Sequence, residues 1–364
     1  MCRMRCTTAL LLALAAAAPA LAQTADEADD TRTLQVTPSG HVQLDARSFP
    51  DWGEATESPR LGFTTWAVRR LRVGGDARWR GLRMELTVDP FDDDGLWVKD
   101  ARLEVRPRPW LRLHAGQFKL PAGREYESST RRLGFLERSV LSDSLAAARD
   151  LGAMVELRGP RRITFSVGAF AGDGLGREDR SGATTAARVE WTPLKDLSVA
   201  LYGSAGRTSA GADDDPANGI NARSSSGFRF FDRLYVQGTR TRAGGDVRWS
   251  PGRWRFDAEV LRFGDERAGQ SSGYTDLPSL RGVGAVASVR WSGRRPSAGL
   301  RVERTSLDDT GTAMTASTGW TVSPWLRLLG DTTTEWFHES TTAPSPGRRG
   351  PYVSLGLRLQ LELP

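Results

Sequence analysis

The sequence contains few of the residues on which thiol and histidine chemistry depend. It has two cysteines and three histidines in 364 residues. Cys2 and Cys6 both lie in an N-terminal segment that we predict to be removed, so the mature chain would have no thiol for a disulfide, a zinc-thiolate site or a cysteine nucleophile. None of His41, His114 and His338 falls in a recognisable nucleophile motif, which argues against a serine–histidine hydrolase.

The apolar run near the N-terminus is too short to cross a bilayer as a helix. It extends from Ala9 to Ala18, follows Arg3 and Arg5, and precedes Ala20-Leu21-Ala22. A basic start, a short apolar core and a small-residue end are the three parts of a secretory signal peptide. We therefore predict that residues 1–22 are a signal peptide, that cleavage follows Ala22, and that the chain is exported.

Lysine is nearly absent from a basic sequence. Lys99, Lys119 and Lys195 are the only lysines among 50 basic residues, and the net charge of +6 falls to +4 when Arg3 and Arg5 are removed with the signal peptide. The arginines are interleaved with acidic residues and do not form a basic tail or stripe. We expect no nucleic-acid partner, and no motif indicates a metal or a cofactor.

From about residue 41 onward, apolar and polar residues alternate with period two. In the last segment Val353, Leu355, Leu357 and Leu359 alternate with polar or small residues, as in a strand with one apolar and one polar face. The pattern shows no linker, so we expect one barrel over 41–364 after a short polar segment, 23–40. Sixteen strands are predicted, at 42–49, 63–74, 79–89, 96–106, 110–119, 149–158, 162–171, 183–192, 196–206, 240–250, 253–264, 280–292, 297–306, 312–322, 325–337 and 352–363.

The connections and the tryptophans indicate where such strands reside. Short turns rich in Gly or Pro, for example 75–78, 193–195 and 251–252, alternate with longer loops. That order is typical of outer-membrane barrels, in which short turns face the periplasm and long loops face outside. Tryptophans next to the short turns fit an interfacial girdle. The predicted fold class is an all-β transmembrane antiparallel barrel of about 16 strands in the outer membrane of a Gram-negative cell.

A barrel of sixteen strands is wide enough to contain water, and its polar faces carry mixed charges. Arg102 and Arg112 are predicted to line the interior together with several Asp and Glu residues. Two interpretations stay open: arginines pair with acids and brace the wall, or unpaired arginines at a constriction favour anions. A loop often narrows such barrels, and the third long connection (120–148) carries four arginines that four acids offset. These arginines are Arg124, Arg131, Arg132 and Arg138.

The segment from about residue 97 to 157 resembles the phosphate-selective porin O and P family. The resemblance rests on 98–104 (VKDARLE), 111–113 (LRL), 116–121 (GQFKLP), 135–139 (FLERS) and 149–152 (RDLG), with the terminal 358–361 (RLQL). It implies a homotrimeric anion channel whose third extracellular loop folds into the lumen. Lys119 and Arg138 lie inside matching motifs and are the first anion-site candidates that the resemblance implies, followed by Arg131 and Arg132.

Two strands cannot follow strict alternation. In the predicted second strand, Trp66 and Val68 imply one outward parity and Leu71 and Val73 the other, so a bulge near Arg69–Arg70 is expected. Alternation from Leu111 would point Lys119 outward, so its entry into the lumen requires a bulge near Gly116.

The predicted function is passive diffusion of small anions, with phosphate and polyphosphate as candidates. The alternatives are a general or carboxylate-type porin with weak selectivity, an outer-membrane hydrolase, and an adhesion or assembly barrel with a blocked lumen. Outer-membrane lipid and lipopolysaccharide are the expected surroundings. Acid clusters in the outer loops could bridge lipopolysaccharide through divalent cations or be plain solvated acids. These clusters are Asp92–Asp94, Asp213–Asp215 and Asp308–Asp309.

Overall fold

The chain forms a closed antiparallel barrel of sixteen strands. The computed structural model describes residues 33–49, 64–91, 97–146, 149–172, 182–208, 219–220, 224–226, 234–235, 238–267, 277–307, 309–337 and 351–363. The predicted signal peptide, the Asp92–Asp94 and Asp213–Asp215 clusters, Asp308 and His338 lie outside these residues. Within them, no helix is both long and apolar enough to cross a membrane.

Each barrel strand pairs with its neighbours in chain order, and the first strand pairs with the last, Leu44 lying opposite Leu359. A separate pair of short strands, β10 (Gly219–Ile220) and β11 (Leu234–Tyr235), lies in the chain between residues 208 and 238. The barrel strands are β1 (Gln35–Ser48), β2 (Thr64–Trp79), β3 (Leu82–Val88), β4 (Val98–Arg108), β5 (Leu111–Lys119), β6 (Arg149–Arg158), β7 (Ile163–Phe170), β8 (Ala183–Leu194), β9 (Leu197–Thr208), β12 (Gly238–Trp249), β13 (Trp254–Arg267), β14 (Leu277–Ser292), β15 (Pro296–Leu307), β16 (Asp309–Ser323), β17 (Leu326–Phe337) and β18 (Tyr352–Glu362).

The number of strands and their closure are as predicted, but the first turn is not where the sequence placed it. β1 begins at Gln35 instead of 42, and β2 continues through the predicted turn at 75–78 as far as Trp79. Gly74 and Gly75 are strand residues because β3 and β1 approach closely: a Cβ on Gly74 would lie 2.1 Å from the Leu86 carbonyl oxygen. Glycine here permits a close backbone approach and does not mark a turn.

The two faces of the barrel wall differ in polarity. Unlike a soluble protein, this barrel exposes its apolar side chains on the outside and buries its charged ones. Leu201 and Leu357 are 70% and 65% exposed, whereas Arg301, Arg358 and Glu303 are almost fully buried. Apolar side chains therefore cover the outside, which faces lipid, and charged side chains cover the inside. Most of the tryptophans near short turns, such as Trp79 and Trp110, are about half exposed, which agrees with the predicted girdle.

The bulge expected in β2 is confirmed. The β1–β2 register shifts between Gln43, which lies opposite Arg70, and Leu44, which lies opposite Val68, so Arg69 has no opposite residue. The extra residue brings two consecutive arginines, Arg69 and Arg70, to one buried carboxylate, that of Glu137.

The prediction of a bulge near Gly116 is wrong, because the strand register does not shift there. β5 pairs without interruption with β4 from Leu113 to Gln117 and with β6 from Leu111 to Lys119. The irregularity is in the backbone dihedral angle instead: Gly116 has a φ of 118°, which side-chain-bearing residues rarely adopt. The Lys119 side chain nevertheless contacts the chain between β5 and β6.

The chain between β5 and β6, residues 120–146, is called the β5–β6 segment below. It contains one helical turn, α1 (Arg124–Glu127), a 3-10 turn (Thr130–Arg132) and a wide turn (Leu141–Leu145). Leu141 and Leu145 are fully buried against four side chains of β9, β13 and β14. These are Tyr202, Leu261, Phe263 and Leu280.

Candidate functional site

Arginines of five different strands bind backbone carbonyls of the β5–β6 segment. Because a guanidinium carries several N–H donors in a fixed fork, one arginine can hold a carbonyl and a carboxylate together. The donors thus fix the path of the segment from several sides. The bonds run from Arg188 to Ala122 O (2.7 Å), from Arg327 to Leu133 O (3.0 Å), from Arg358 to Leu136 O (2.6 Å), from Arg301 to Glu137 O (2.7 Å) and from Arg242 to Leu145 O (2.5 Å).

Glu137 is the charged anchor of the segment. Its carboxylate, 4% exposed, accepts hydrogen bonds from Arg47, from Arg69 at 2.6 Å and from Arg70 at 2.8 Å, with Arg358 at 3.7 Å. Burial opposes ionisation, but these arginines hold the pKa of Glu137 well below its usual range. The carboxylate therefore stays charged at every physiological pH.

Further polar groups extend this anchor. Asp45 binds Arg47 and Arg358, and Arg47 also donates to the carbonyl of Ser226, in the chain between β9 and β12. The chain between β9 and β12, which was not predicted to narrow the barrel, therefore reaches the same buried cluster. The four arginines face two carboxylates, and all six groups are bonded or in close contact.

Across the barrel, Asp246 anchors α1. It accepts hydrogen bonds from Arg124 at 2.9 Å and from Arg188 at 2.6 Å, and Glu190 contacts both arginines. Arg124, a predicted anion-site residue, is thus a paired structural group.

Lys119 is also committed to structure. Its ammonium nitrogen lies 2.7, 3.0 and 3.1 Å from the backbone oxygens of Tyr126, Glu127 and Ser128. An ammonium has three N–H donors, and these carbonyls, at the end of α1, accept all of them. Lys119 holds the helical turn in place instead of presenting a free charge.

Arg138 has the same kind of environment. It donates to the backbone oxygens of Glu125 at 3.2 Å and Ser128 at 2.6 Å, and its guanidinium lies 5.5 Å from the centre of the Tyr126 ring. Burial lowers the pKa of Arg138 from its usual value. Its contacts stabilise the segment.

The remaining predicted residues differ in how far they are paired. Arg102 binds Glu85 at 2.5 Å and Arg112 lies 3.3 Å from Glu156. Arg131 lies 3.5 Å from Glu362 and is partly exposed. Arg132 is exposed, and its side chain has no hydrogen bond or ion pair to the part of the chain that the structure describes.

Two interior cavities differ in charge. The larger, of about 630 Å³, adjoins β1–β8 and is lined by seven basic and six acidic side chains; we call it the mixed cavity. Its basic residues are Arg72, Arg102, Lys119, Arg131, Arg149, Arg158 and Arg188, and its acidic residues are Asp76, Glu85, Asp100, Glu127, Glu156 and Glu190.

The smaller cavity, of about 310 Å³, adjoins β12–β17. No carboxylate is present among the described residues that line it, and we call it the arginine cavity. Its basic residues are Arg132, Arg253, Arg255, Arg290 and Arg327.

Among these five arginines, the sequence pointed to Arg132 alone as an anion-site residue. The alternation contained a signal for Arg290 and Arg327, since Arg290 lies between Val289 and Trp291 and Arg327 between Leu326 and Leu328. No sequence signal showed that these arginines would meet without acids, because that depends on which strands lie side by side. Among the described residues, no group of three or more His, Cys, Asp or Glu side chains could hold a metal ion.

A model of the phosphate-selective porin O and P family matches residues 38–292. The search of curated proteins found no matching relative. The fold resembles an anion-selective porin from Comamonas acidovorans, with a TM-score of 0.64 and 11% identity over 91% of this chain and 100% of that chain. It also resembles the outer-membrane channel DcaP of Acinetobacter baumannii (0.62, 11%, 93% and 100%) and OmpT of Vibrio cholerae (0.60, 11%, 93% and 99%).

Proposed function

The chain belongs to the phosphate-selective porin O and P family of outer-membrane proteins, and we propose that it lets small anions, phosphate or polyphosphate among them, diffuse through its interior. The observation that carries this proposal is the charge of the two interior cavities. One is nearly balanced and the other carries five arginines without an acid among the described lining residues. The surplus of positive charge would enrich anions inside the barrel.

We propose further that the β5–β6 segment lies inside the lumen and narrows it. The support is the set of five wall arginines that bind its carbonyls, together with Glu137 and Asp246 at opposite ends of the network. Lys119, Arg124 and Arg138 would then shape the constriction by fixing the segment. Selectivity would come from arginines that water can reach.

A weakly selective general or carboxylate-type porin is the second candidate. The near balance of seven basic and six acidic groups in the mixed cavity favours it. If most ions cross through that cavity, the arginine cavity would bias the flux only slightly. Family membership supports a channel of either kind over an enzyme.

The test is a zero-current reversal potential. The mature protein, folded in detergent, is inserted into a planar bilayer that separates two KCl concentrations. The proposal predicts a reversal potential of the sign that chloride carries. A reversal potential close to zero would favour the weakly selective porin, and a value of the cation sign would refute the anion channel.

We propose that the functional unit is a homotrimer that assembles through the outer face of β4–β8. This face has an apolar groove floored by small residues, including Ala115, Ala153 and Gly168. The wall is short here, since β7 has 8 residues whereas β14 has 16. A short wall with small side chains is suited to close contact between subunits.

The mass of the detergent-solubilised protein tests the trimer. Ala153→Trp should convert a trimer into a monomer because the larger side chain prevents close contact, whereas Val260→Trp on the exposed face of β13 should not. A monomeric wild-type protein, or a trimer that persists in Ala153→Trp, would contradict this interface.

A further inference from the structure

We propose that the arginine cavity is a binding site for multivalent oxyanions at the end of the barrel that carries the short turns. The inference rests on the proposed anion channel and adds where the solute is held and which charge class binds best. None of the five arginines except Arg132 was a predicted anion-site residue.

The position of the cavity follows from its lining. Ser250, Gly252 and Arg253 belong to the turn between β12 and β13, and Ser292 ends β14 just before the next short turn. Short turns of outer-membrane barrels face the periplasm. A solute in this cavity would be about to leave the channel on the periplasmic side.

Many N–H donors of the arginines in this cavity are available to bind an anion. Arg132, Arg253 and Arg255 have no side-chain hydrogen bond or ion pair to any described residue, and all three are at least partly exposed. Arg290 uses one terminal nitrogen on Asp257, at 2.8 Å, while its buried Nε has no partner in the described structure. Guanidinium forks match the oxygen spacing of phosphate and carboxylate groups.

Arginines in the mixed cavity contrast with these. Arg102 binds Glu85, Arg149 binds Asp100 and Arg188 binds Asp246. An entering anion would have to displace a carboxylate there, whereas in the arginine cavity it would meet free donors. Both cavities are lined by arginines. They differ in whether carboxylates of the protein already bind those arginines.

The charge of the anion that the arginine cavity prefers follows from the number of guanidinium groups around the cavity. Asp257, bound to Arg290, is the carboxylate that contacts one of these five guanidiniums in the described structure. The guanidiniums that remain unpaired repel each other, and the Coulomb energy that an anion recovers grows with its charge. A divalent or trivalent oxyanion can also bond to two or more forks at once, which chloride cannot. The cavity should therefore discriminate by valence and oxygen geometry.

The β5–β6 segment helps to shape the site through Gly134. A Cβ at Gly134 would lie 2.3 Å from Cδ of Arg290, so glycine leaves the space that this arginine occupies. Arg327 is held by its bond to the Leu133 carbonyl. The segment thus positions two of the five arginines while Arg132 comes from the segment itself.

The test is block of the chloride current through single channels by added oxyanion. Inorganic phosphate, citrate and, as a monovalent oxyanion, nitrate are each titrated against wild type, Arg132→Gln, Arg255→Gln and the control Arg158→Gln. Arg158 adjoins a short turn at the same end but lines the mixed cavity and is paired with Glu156. Migration of the unheated barrel on a gel confirms that each variant is folded.

We expect phosphate or citrate to block at lower concentration than nitrate, and the half-blocking concentration to rise about tenfold in Arg132→Gln and in Arg255→Gln, since each removes charged hydrogen bonds. Arg158→Gln should remain within about twofold of wild type on the same scale. Either oxyanion alone would uphold the site and identify its preferred class. Block that is equal for nitrate, or unchanged in both cavity variants, would overturn the proposal.

Failure of this inference can be told apart from failure of the proposed function. If wild type is anion-selective in the KCl gradient but block is unchanged in the cavity variants, the channel function stands and the site is wrong. If wild type has no anion selectivity, the function itself is wrong.

Discussion

At the residue scale, arginine has two roles in this barrel, and its partners separate them. Arg358 and Arg242 are buried, and each binds both a carboxylate and a carbonyl of the β5–β6 segment. Arg132 and Arg255 reach water and have no such partners among the described residues. The first group holds the structure, and we propose that the second supplies charge to the pore.

Glu137→Gln should destabilise the protein more than a typical polar substitution. The change removes the negative charge that three hydrogen-bonded arginines and Arg358 surround in a buried site. Loss of one partner from a buried ion cluster costs about 3 kcal/mol. The free energy of unfolding, measured by denaturant titration in detergent, should fall by about this amount.

The matched control is Glu156→Gln. Glu156 also has arginine partners, Arg112 and Arg158, but lies in the mixed cavity, where Arg158 is about half exposed. The loss should be below about 1 kcal/mol. Equal effects of the two substitutions would show that Glu137 is not the anchor of the segment.

Glu127 should make the selectivity depend on pH. Desolvation by the surrounding protein, together with the nearby carboxylates of Asp246 and Glu190 and offset in part by Arg188 and Arg124, raises the pKa of Glu127 to about 7, although 36% of its side chain is exposed. Below that pH the group is neutral and the mixed cavity has one negative charge fewer; above it the charge returns. Anion selectivity should therefore rise as the pH falls from about 8 to about 6.

Reversal potentials of wild type and Glu127→Gln at the two pH values check this. The variant should behave at both pH values as wild type does at the lower one. A pH response of the same size in both proteins would assign the titration to another group.

At the element scale, β5 depends on one glycine. A Cβ on Gly116 would lie 2.1 Å from the Ala101 carbonyl oxygen, and its φ is 118°. Gly252 also has a positive φ, 60°, but nothing lies within 4 Å of its Cβ position. Substitutions at Gly116 and Gly252 can therefore be compared to separate the effect of steric overlap from that of backbone strain.

Gly116→Ala should lower the free energy of unfolding by at least about 3 kcal/mol, because strain and overlap add. Gly252→Ala should lower it by about 1 kcal/mol, from strain alone. The comparison is made on refolded barrels by denaturant titration. Similar losses for the two variants would mean that β4 relaxes away from Gly116.

The strands were predictable from the sequence. The one turn that was misplaced shows what the sequence pattern leaves undecided. Alternation placed Leu357 outside and Arg358 inside, and two conflicting parities in β2 located the bulge at Arg69. The β2–β3 turn was misplaced because Gly74 and Gly75 are equally compatible with a turn and with close strand contact. Only the partner backbone at Leu86 decides between them.

At the scale of the whole molecule, the candidate site was predicted less well than the fold. Period two specifies which face of a strand a residue occupies, but not what lies across the barrel from it. The sequence therefore identified Lys119 and Arg138 as basic interior residues but could not show that backbone carbonyls accept their donors. Arg290 and Arg327 come together with Arg132 only because β14, β17 and the β5–β6 segment meet.

We infer that exposed arginines without acid partners, and not the basic residues that hold the β5–β6 segment, give the channel its preference for anions. This is tested by comparing the reversal potential of wild type with that of the triple variant Arg132→Gln, Arg253→Gln and Arg255→Gln in the same KCl gradient. Wild type should be anion-selective, and the reversal potential of the folded triple variant should be close to zero. Full anion selectivity in the triple variant would contradict this inference.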